Sequence, residues 1–132
     1  MKVLVFGSTI ESKDIAFKLD RITGKNEYIN TYDIETFPKM ILFEKPDMVI
    51  VTANGEYGKD CVSIVRGLNR NVPLLWFSND ENYSVEADLF NCTYFAKKPV
   101  FSKTLSNAMQ NMGTVTHINR ALNRISLARM VG

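Results

Sequence analysis

Three runs of four consecutive apolar residues constrain the fold of this chain more than any other feature. They are VLVF at residues 3–6, MVIV at 48–51 and LLWF at 74–77. The runs are rich in β-branched and aromatic residues and do not alternate with polar ones, which indicates strands that are covered on both faces. Such strands favour a parallel sheet between two layers of helices, because parallel strands need crossover connections.

Segments whose apolar residues recur at helical spacing follow each of these runs. Such segments also follow two weaker predicted strands, at residues 28–32 and 94–96. In the first helix Ile15, Ala16 and Leu19 recur at helical spacing after a possible cap at Ser8 or Thr9. The other predicted helices lie near residues 37–43, 62–68, 85–90 and 101–112, with Gly55 and Gly58 in the loop before the third. The sequence therefore predicts an α/β fold, a doubly wound five-stranded parallel sheet between two layers of helices.

Length and composition limit the class of protein. The 132 residues, 45% hydrophobic and 23% charged, suit one soluble globular domain, which we place at residues 1–113 with a separate segment at 114–132. No apolar run is long enough to span a bilayer, so no membrane association is expected. The apolar run near the start of the chain is interrupted at Gly7, which makes it too short for a secretory signal. We therefore expect a cytoplasmic protein.

Charge and metal-ligand spacing exclude two further classes of function. Residues 114–132 carry three arginines and no acid, so the rest of the chain has a net charge of −1. Direct nucleic-acid binding by that nearly neutral body is not expected. Cys61 and Cys92 show no metal-ligand spacing and are interpreted as packed, reduced thiols, and we expect neither a metal site nor a cofactor.

Three stretches carry a resemblance to a known family. PDMVIVT, VPLLWFS and FNCTYFAKKP contain predicted strands and stand in register along the chain. Over residues 1 to about 112 the sequence resembles the receiver domain of bacterial two-component response regulators, the phosphorelay signalling proteins. This resemblance implies the flavodoxin-like (βα)5 form of the predicted fold. The resemblance implies the roles of six positions: Thr52 for the phospho-acceptor aspartate, Ser78 for the conserved hydroxyl, Lys98 for the invariant lysine, Phe95 for the switch aromatic, Asn91 for the turn glycine and Pro99 for the proline after a cis peptide bond.

The carboxylates of the receiver reaction are missing from these positions. In the family two acids after the first strand hold Mg²⁺, and here they are replaced by Phe6 and Gly7, while Thr52 replaces the nucleophilic aspartate. Threonine has no low-pKa oxygen with which to attack a phosphoryl donor. We therefore predict an atypical pseudo-receiver that is not an enzyme, in which Phe6 fills the former metal pocket. Glu11 and Glu56 are the candidate charge partners of Lys98.

A small-ligand site is the alternative hypothesis. The backbone N–H groups of Gly7, Ser8 and Thr9, together with Ser78 and Lys98, could bind an anion such as a phosphate or a nucleotide. The chain lacks both GxGxxG and the P-loop motif, so the motif evidence for this alternative is weak.

Protein partners are expected on two surfaces. In the family the fourth helix, fifth strand and fifth helix pair subunits, and here that surface would include Phe90, Tyr94 and Lys97. In the C-terminal segment Val115, Ile118, Leu122 and Ile125 form an apolar stripe out of phase with that of the fifth helix. This segment either folds back on the body or forms a dimerisation or linker helix that leads to an output domain beyond residue 132. We expect the second, because a receiver-type body already packs its helix faces against the sheet.

Overall fold

A computed structural model describes residues 1–112 as one parallel sheet of five strands in the order β2-β1-β3-β4-β5. The strands are β1 (Lys2–Phe6), β2 (Glu27–Thr31), β3 (Met48–Val51), β4 (Leu74–Ser78) and β5 (Tyr94–Lys97). The helices are α1 (Thr9–Thr23), α2 (Phe37–Glu44), α3 (Gly55–Leu68), α4 (Ser84–Leu89) and α5 (102–112), with a 3-10 turn at Glu81–Tyr83 before α4. The predicted doubly wound fold is confirmed, while the predicted segment 114–132 lies outside the described residues.

The two faces of the sheet bury separate clusters of side chains. On one face, Leu4 and Val49 pack with residues of α2, α3 and α4. On the other face, Val5 and Ile50 pack with residues of α1 and α5. All residues of β3 and β4 are buried, and so are those of β1 from Val3 onward, because these three strands have helices on both faces. This burial explains the unbroken apolar runs in the sequence.

The position of Gly58 differs from the prediction. The sequence placed Gly55 and Gly58 in a loose loop, but α3 begins at Gly55 and Gly58 is buried in its first turns. A Cβ atom on Gly58 would lie 2.1 Å from the carbonyl oxygen of Ala53 and 2.7 Å from Nε1 of Trp76. This glycine is therefore needed for close packing of α3 on the end of β3, and not for a flexible loop.

Both cysteines are free thiols, Cys61 buried and Cys92 half-buried. Burial raises the pKa of each thiol to about 12, because the thiolate is poorly solvated in the interior. None of the helices within residues 1–112 has the length and hydropathy that a bilayer-spanning segment requires.

The raised thiol pKa values predict how reactivity and stability depend on pH. At neutral pH we expect iodoacetamide to label both thiols slowly until denaturant unfolds the chain. Because the pKa of Cys61 in the folded chain lies above the ordinary thiol pKa of 9.0, the contribution of the neutral thiol to stability is complete below pH 9.0. That contribution is lost as the pH rises toward about 12. Urea unfolding should show a falling midpoint over this range, and a Cys61→Ala variant should lose part of that dependence.

Candidate functional site

The predicted site residues meet at the carboxyl edge of the sheet. Phe6 is in register with Val51 of β3, and Val51 with Trp76 of β4. Ser78 at the end of β4 is in register with Lys97 of β5. Parallel strands end at a common edge, so Gly7, Thr52, Ser78 and Lys98, which end or follow these strands, share this edge as expected.

The Thr52 side chain fills the space that a side chain at Gly7 would need. Thr52 is 1% exposed, and its hydroxyl donates a hydrogen bond of 3.2 Å to the carbonyl oxygen of Phe6. A Cβ atom on Gly7 would lie only 2.0 Å from Thr52 Oγ1. The Thr52 side chain thus occupies the position that the side chain of a second acid would need.

Phe6 lies in a cluster of aromatic rings. Phe6 is fully buried, and its ring centroid lies 4.8 Å from that of Phe37, 5.4 Å from Tyr32 and 5.5 Å from Tyr57. The Tyr57 hydroxyl also donates a hydrogen bond of 3.3 Å to the carbonyl oxygen of Tyr32, which closes the cluster over Phe6. Phe6 therefore supplies apolar volume at the end of β1, and its side chain offers no metal ligand.

Lys98 already has a charge partner. Its Nζ lies 2.7 Å from Glu11 Oε2, and the lysine side chain is only 18% exposed. Glu11 is held by the first turn of α1, where the Ser8 hydroxyl donates to its carboxylate and accepts a hydrogen bond from its backbone N–H. A carboxylate in the first turn of a helix is favoured by the helix dipole. Of the two candidate partners, Glu11 is therefore the one that the structure shows.

Ser78 is directed into the protein. It is fully buried, and its hydroxyl oxygen accepts a hydrogen bond of 3.2 Å from the backbone N–H of Asp80. Its carbonyl oxygen accepts a hydrogen bond of 2.8 Å from the backbone N–H of Lys98. Ser78 therefore fixes the loop after β4 and the end of β5, and the Lys98–Pro99 peptide bond that follows is cis, as the resemblance implies.

The loops after β3 and β4 are bonded to each other, which sequence analysis did not predict. Asn54 Oδ1 accepts a hydrogen bond of 2.9 Å from the backbone N–H of Asn79. The Tyr83 hydroxyl donates one of 3.1 Å to Glu56, and this contact raises the pKa of Tyr83. The proposed pairing of Glu56 with Lys98 is wrong, because α3 starts early and directs Glu56 toward the loop after β4.

Phe95, which the resemblance identifies with the switch aromatic, packs inward. The Phe95 ring lies 5.1 Å from the Trp76 ring, edge to face, and Tyr83 lies 5.7 Å from Trp76 on another side. Trp76 Nε1 donates a hydrogen bond of 3.1 Å to the carbonyl oxygen of Ala53. Asn91 takes the turn position with a φ of 52°, as its identification with the turn glycine predicted.

A cavity of about 410 Å³ opens beside the Lys98–Glu11 pair. It is lined by Glu11, Asp14, Ile15, Lys98, Pro99 and Val100. Lys18 borders the same region, where it forms an ion pair of 2.8 Å with Asp14 and donates to the carbonyl oxygen of Val100 at 2.8 Å. Both cations near this cavity are therefore already neutralised by acids.

The proposed contact surface of α4, β5 and α5 is partly exposed. Phe90 and Tyr94 are half-buried, Lys97 is exposed, and Tyr94 packs against Phe77 with centroids 6.5 Å apart. The other interface candidates, Ile118, Leu122 and Ile125, lie outside the described residues and remain predictions. Within residues 1–112, no group of three or more acidic, cysteine or histidine side chains could hold a metal ion.

Comparison with known proteins supports the fold. No protein-family model matches the chain, and no curated protein matches it in sequence. Among solved structures, it is similar to a response regulator receiver protein from Pseudoalteromonas atlantica, with 15% identity, a TM-score of 0.68, and coverage of 87% of this chain and 98% of that one. Chemotaxis protein CheY4 of Vibrio cholerae has 21% identity and a TM-score of 0.68, over 83% of this chain and 95% of the other.

A third similar structure is HP1043, described as an orphan response regulator of H. pylori, with 18% identity and a TM-score of 0.66. The match covers 83% of this chain and 93% of HP1043. At such identities structural likeness establishes the fold, and each of the three matches covers more than 80% of both chains. Residues 1–112 of this chain therefore have the fold of response-regulator receiver domains.

Proposed function

We propose that this chain is a pseudo-receiver that takes part in signal transduction or transcriptional regulation through protein contact, without phosphorylation and without enzymatic activity. One observation carries the proposal. Thr52, at the phospho-acceptor position, is buried, bonded to the Phe6 carbonyl and packed into the space beside Gly7. A side chain in that state is neither a nucleophile nor accessible to a phosphoryl donor.

The electrostatics of the site support the same proposal. A phosphoryl group at this edge would meet Lys98 only by displacing Glu11, which lies 2.7 Å away. The Glu11 carboxylate also lies at the first turn of α1, next to the backbone N–H groups of the alternative anion site. Like charges at such distances repel, so this arrangement argues against phosphorylation and against an anionic small ligand.

The partner that we propose is a second copy of the chain, joined through the surface of α4, β5 and α5. This surface has the composition of a contact region, because it combines the partly exposed aromatic side chains of Phe90 and Tyr94 with the exposed Lys97. Sedimentation velocity over a range of protein concentrations tests this homodimer directly.

The test of phosphorylation independence uses acetyl phosphate and beryllofluoride, each with Mg²⁺. We expect intact-mass spectrometry to show no added phosphoryl group and the emission of buried Trp76 to stay unchanged. A Thr52→Asp variant should behave in the same way, because Phe6 and Gly7 still provide no metal ligand. Stoichiometric phosphorylation of the wild-type chain would overturn the proposed function.

A further inference from the structure

The exposed face of α4 is apolar and acidic. Val85 and Leu89, one helical turn apart, are 63% and 73% exposed. The exposed acids Glu81 and Asp88 flank them, and the segment from Asp80 to Phe90 contains no basic residue. A stripe of two large apolar side chains between carboxylates matches a partner that is apolar and basic.

The described chain ends close to this face. The side chain of Asn111, in the last turn of α5, donates a hydrogen bond of 2.7 Å to the carbonyl oxygen of Thr93. Thr93 follows Leu89 by four residues, which span at most about 14 Å even when fully extended. The last turn of α5 is therefore held near enough to the C-terminal end of α4 that the segment continuing the chain can reach this face.

The sequence of that continuing segment has the chemistry that α4 lacks. Residues 114–132 contain the apolar stripe of Ile118, Leu122 and Ile125, and their charged side chains are three arginines with no acid. Of these, Arg120 and Arg124 are four residues apart. A covalently attached segment also binds at a high effective concentration, which favours its own domain over a free partner.

We propose that residues 114–132 dock on the exposed face of α4 in the same chain, with Leu122 covering Val85 and Leu89 and the arginines facing the carboxylates. The expectation of a dimerisation helix assumed that the body packs all its helix faces against the sheet. The exposure of Val85 and Leu89 shows that α4 does not. This proposal does not depend on the absence of phosphorylation, and it does not use Phe90, Tyr94 or Lys97, the residues named for the proposed homodimer surface.

Hydrogen–deuterium exchange of the α4 amides in the full chain tests the proposal. We expect slow exchange at residues 84–89 that is independent of protein concentration. A Leu122→Asp variant should exchange there about tenfold faster, the factor expected when one leucine-sized contact is lost, while Trp76 emission stays that of the folded body. Unchanged exchange in this variant would overturn the proposal, and protection that grows with protein concentration would assign the face to a second copy instead.

Charge reversal provides a test that does not depend on the Leu122→Asp variant. Arg120→Glu combined with Arg124→Glu should also speed exchange at residues 84–89, and adding Glu81→Lys with Asp88→Lys should restore part of the protection. The matched control reverses two exposed acids elsewhere, Glu35→Lys with Asp60→Lys, in the arginine-reversed chain. Restoration by the control pair as well would show a general charge effect and would contradict specific docking on α4.

Discussion

Replacing Gly58 with alanine should destabilise the fold by about 3 kcal/mol, the upper part of the range for overpacked interiors. The added Cβ would lie 2.1 Å from the Ala53 carbonyl oxygen, a backbone atom that cannot rotate away. The same methyl group would displace Trp76 Nε1 from its bond to that oxygen. Urea unfolding should show the loss of stability, and the folded variant should show altered Trp76 emission.

Gly67 provides the control on the same helix. A Cβ atom there meets no other heavy atom within 4 Å, and Gly67 is exposed near the end of α3. Gly67→Ala should therefore stabilise the chain by about 0.5–1 kcal/mol through helix propensity alone. If both alanine variants changed stability in the same direction and by similar amounts, close packing at Gly58 would not be the cause.

Gly7→Ala should cost about 2–3 kcal/mol, because its Cβ would collide with the buried hydroxyl of Thr52. Thr52→Ala removes that hydroxyl and should cost about 1 kcal/mol through its lost hydrogen bond and methyl contacts. In the double variant the nearest remaining atom is the Cβ of residue 52, at 3.2 Å, which is a tight but tolerable contact. We therefore expect the double variant to be more stable than Gly7→Ala alone.

A double-mutant cycle measured by chemical denaturation gives the coupling between the two positions. We expect it to exceed about 1 kcal/mol in the favourable direction. Purely additive losses would show that Gly7 and Thr52 do not compete for the same space. A strong coupling would mean that restoring an acid at Gly7 also requires a smaller residue at Thr52.

The fold could be predicted from the sequence because β1, β3 and β4 are buried on both faces and so have unbroken apolar runs. It also predicted which residues share the site, since parallel strands bring their carboxyl ends to one edge regardless of side-chain detail. The Lys98–Glu11 pair was one of two candidates, and the choice between them depended on where α3 begins. That boundary was not predicted, because Gly55 and Gly58 favour loops in sequence statistics.

Close packing accounts for the other features that the sequence did not predict. The sequence does not distinguish a glycine in a flexible loop from a glycine that allows a neighbouring carbonyl group to approach closely, as Gly58 does. The hydrogen bonds of Asn54 with Asn79 and of Tyr83 with Glu56 join loops whose geometry has no sequence periodicity. The exposure of Val85 and Leu89 was also missed, since α4 has only six residues and a helical pattern needs a longer window.

In the Lys98–Glu11 ion pair the counter-ion of the lysine is part of the chain itself. An acid encoded in α1 is present from the moment the chain folds, and no phosphatase can remove it. Under the proposed function, the output of this domain would then change with how many copies the cell makes and degrades. Gene expression and protein turnover, rather than a kinase, would be the steps at which the cell adjusts the response.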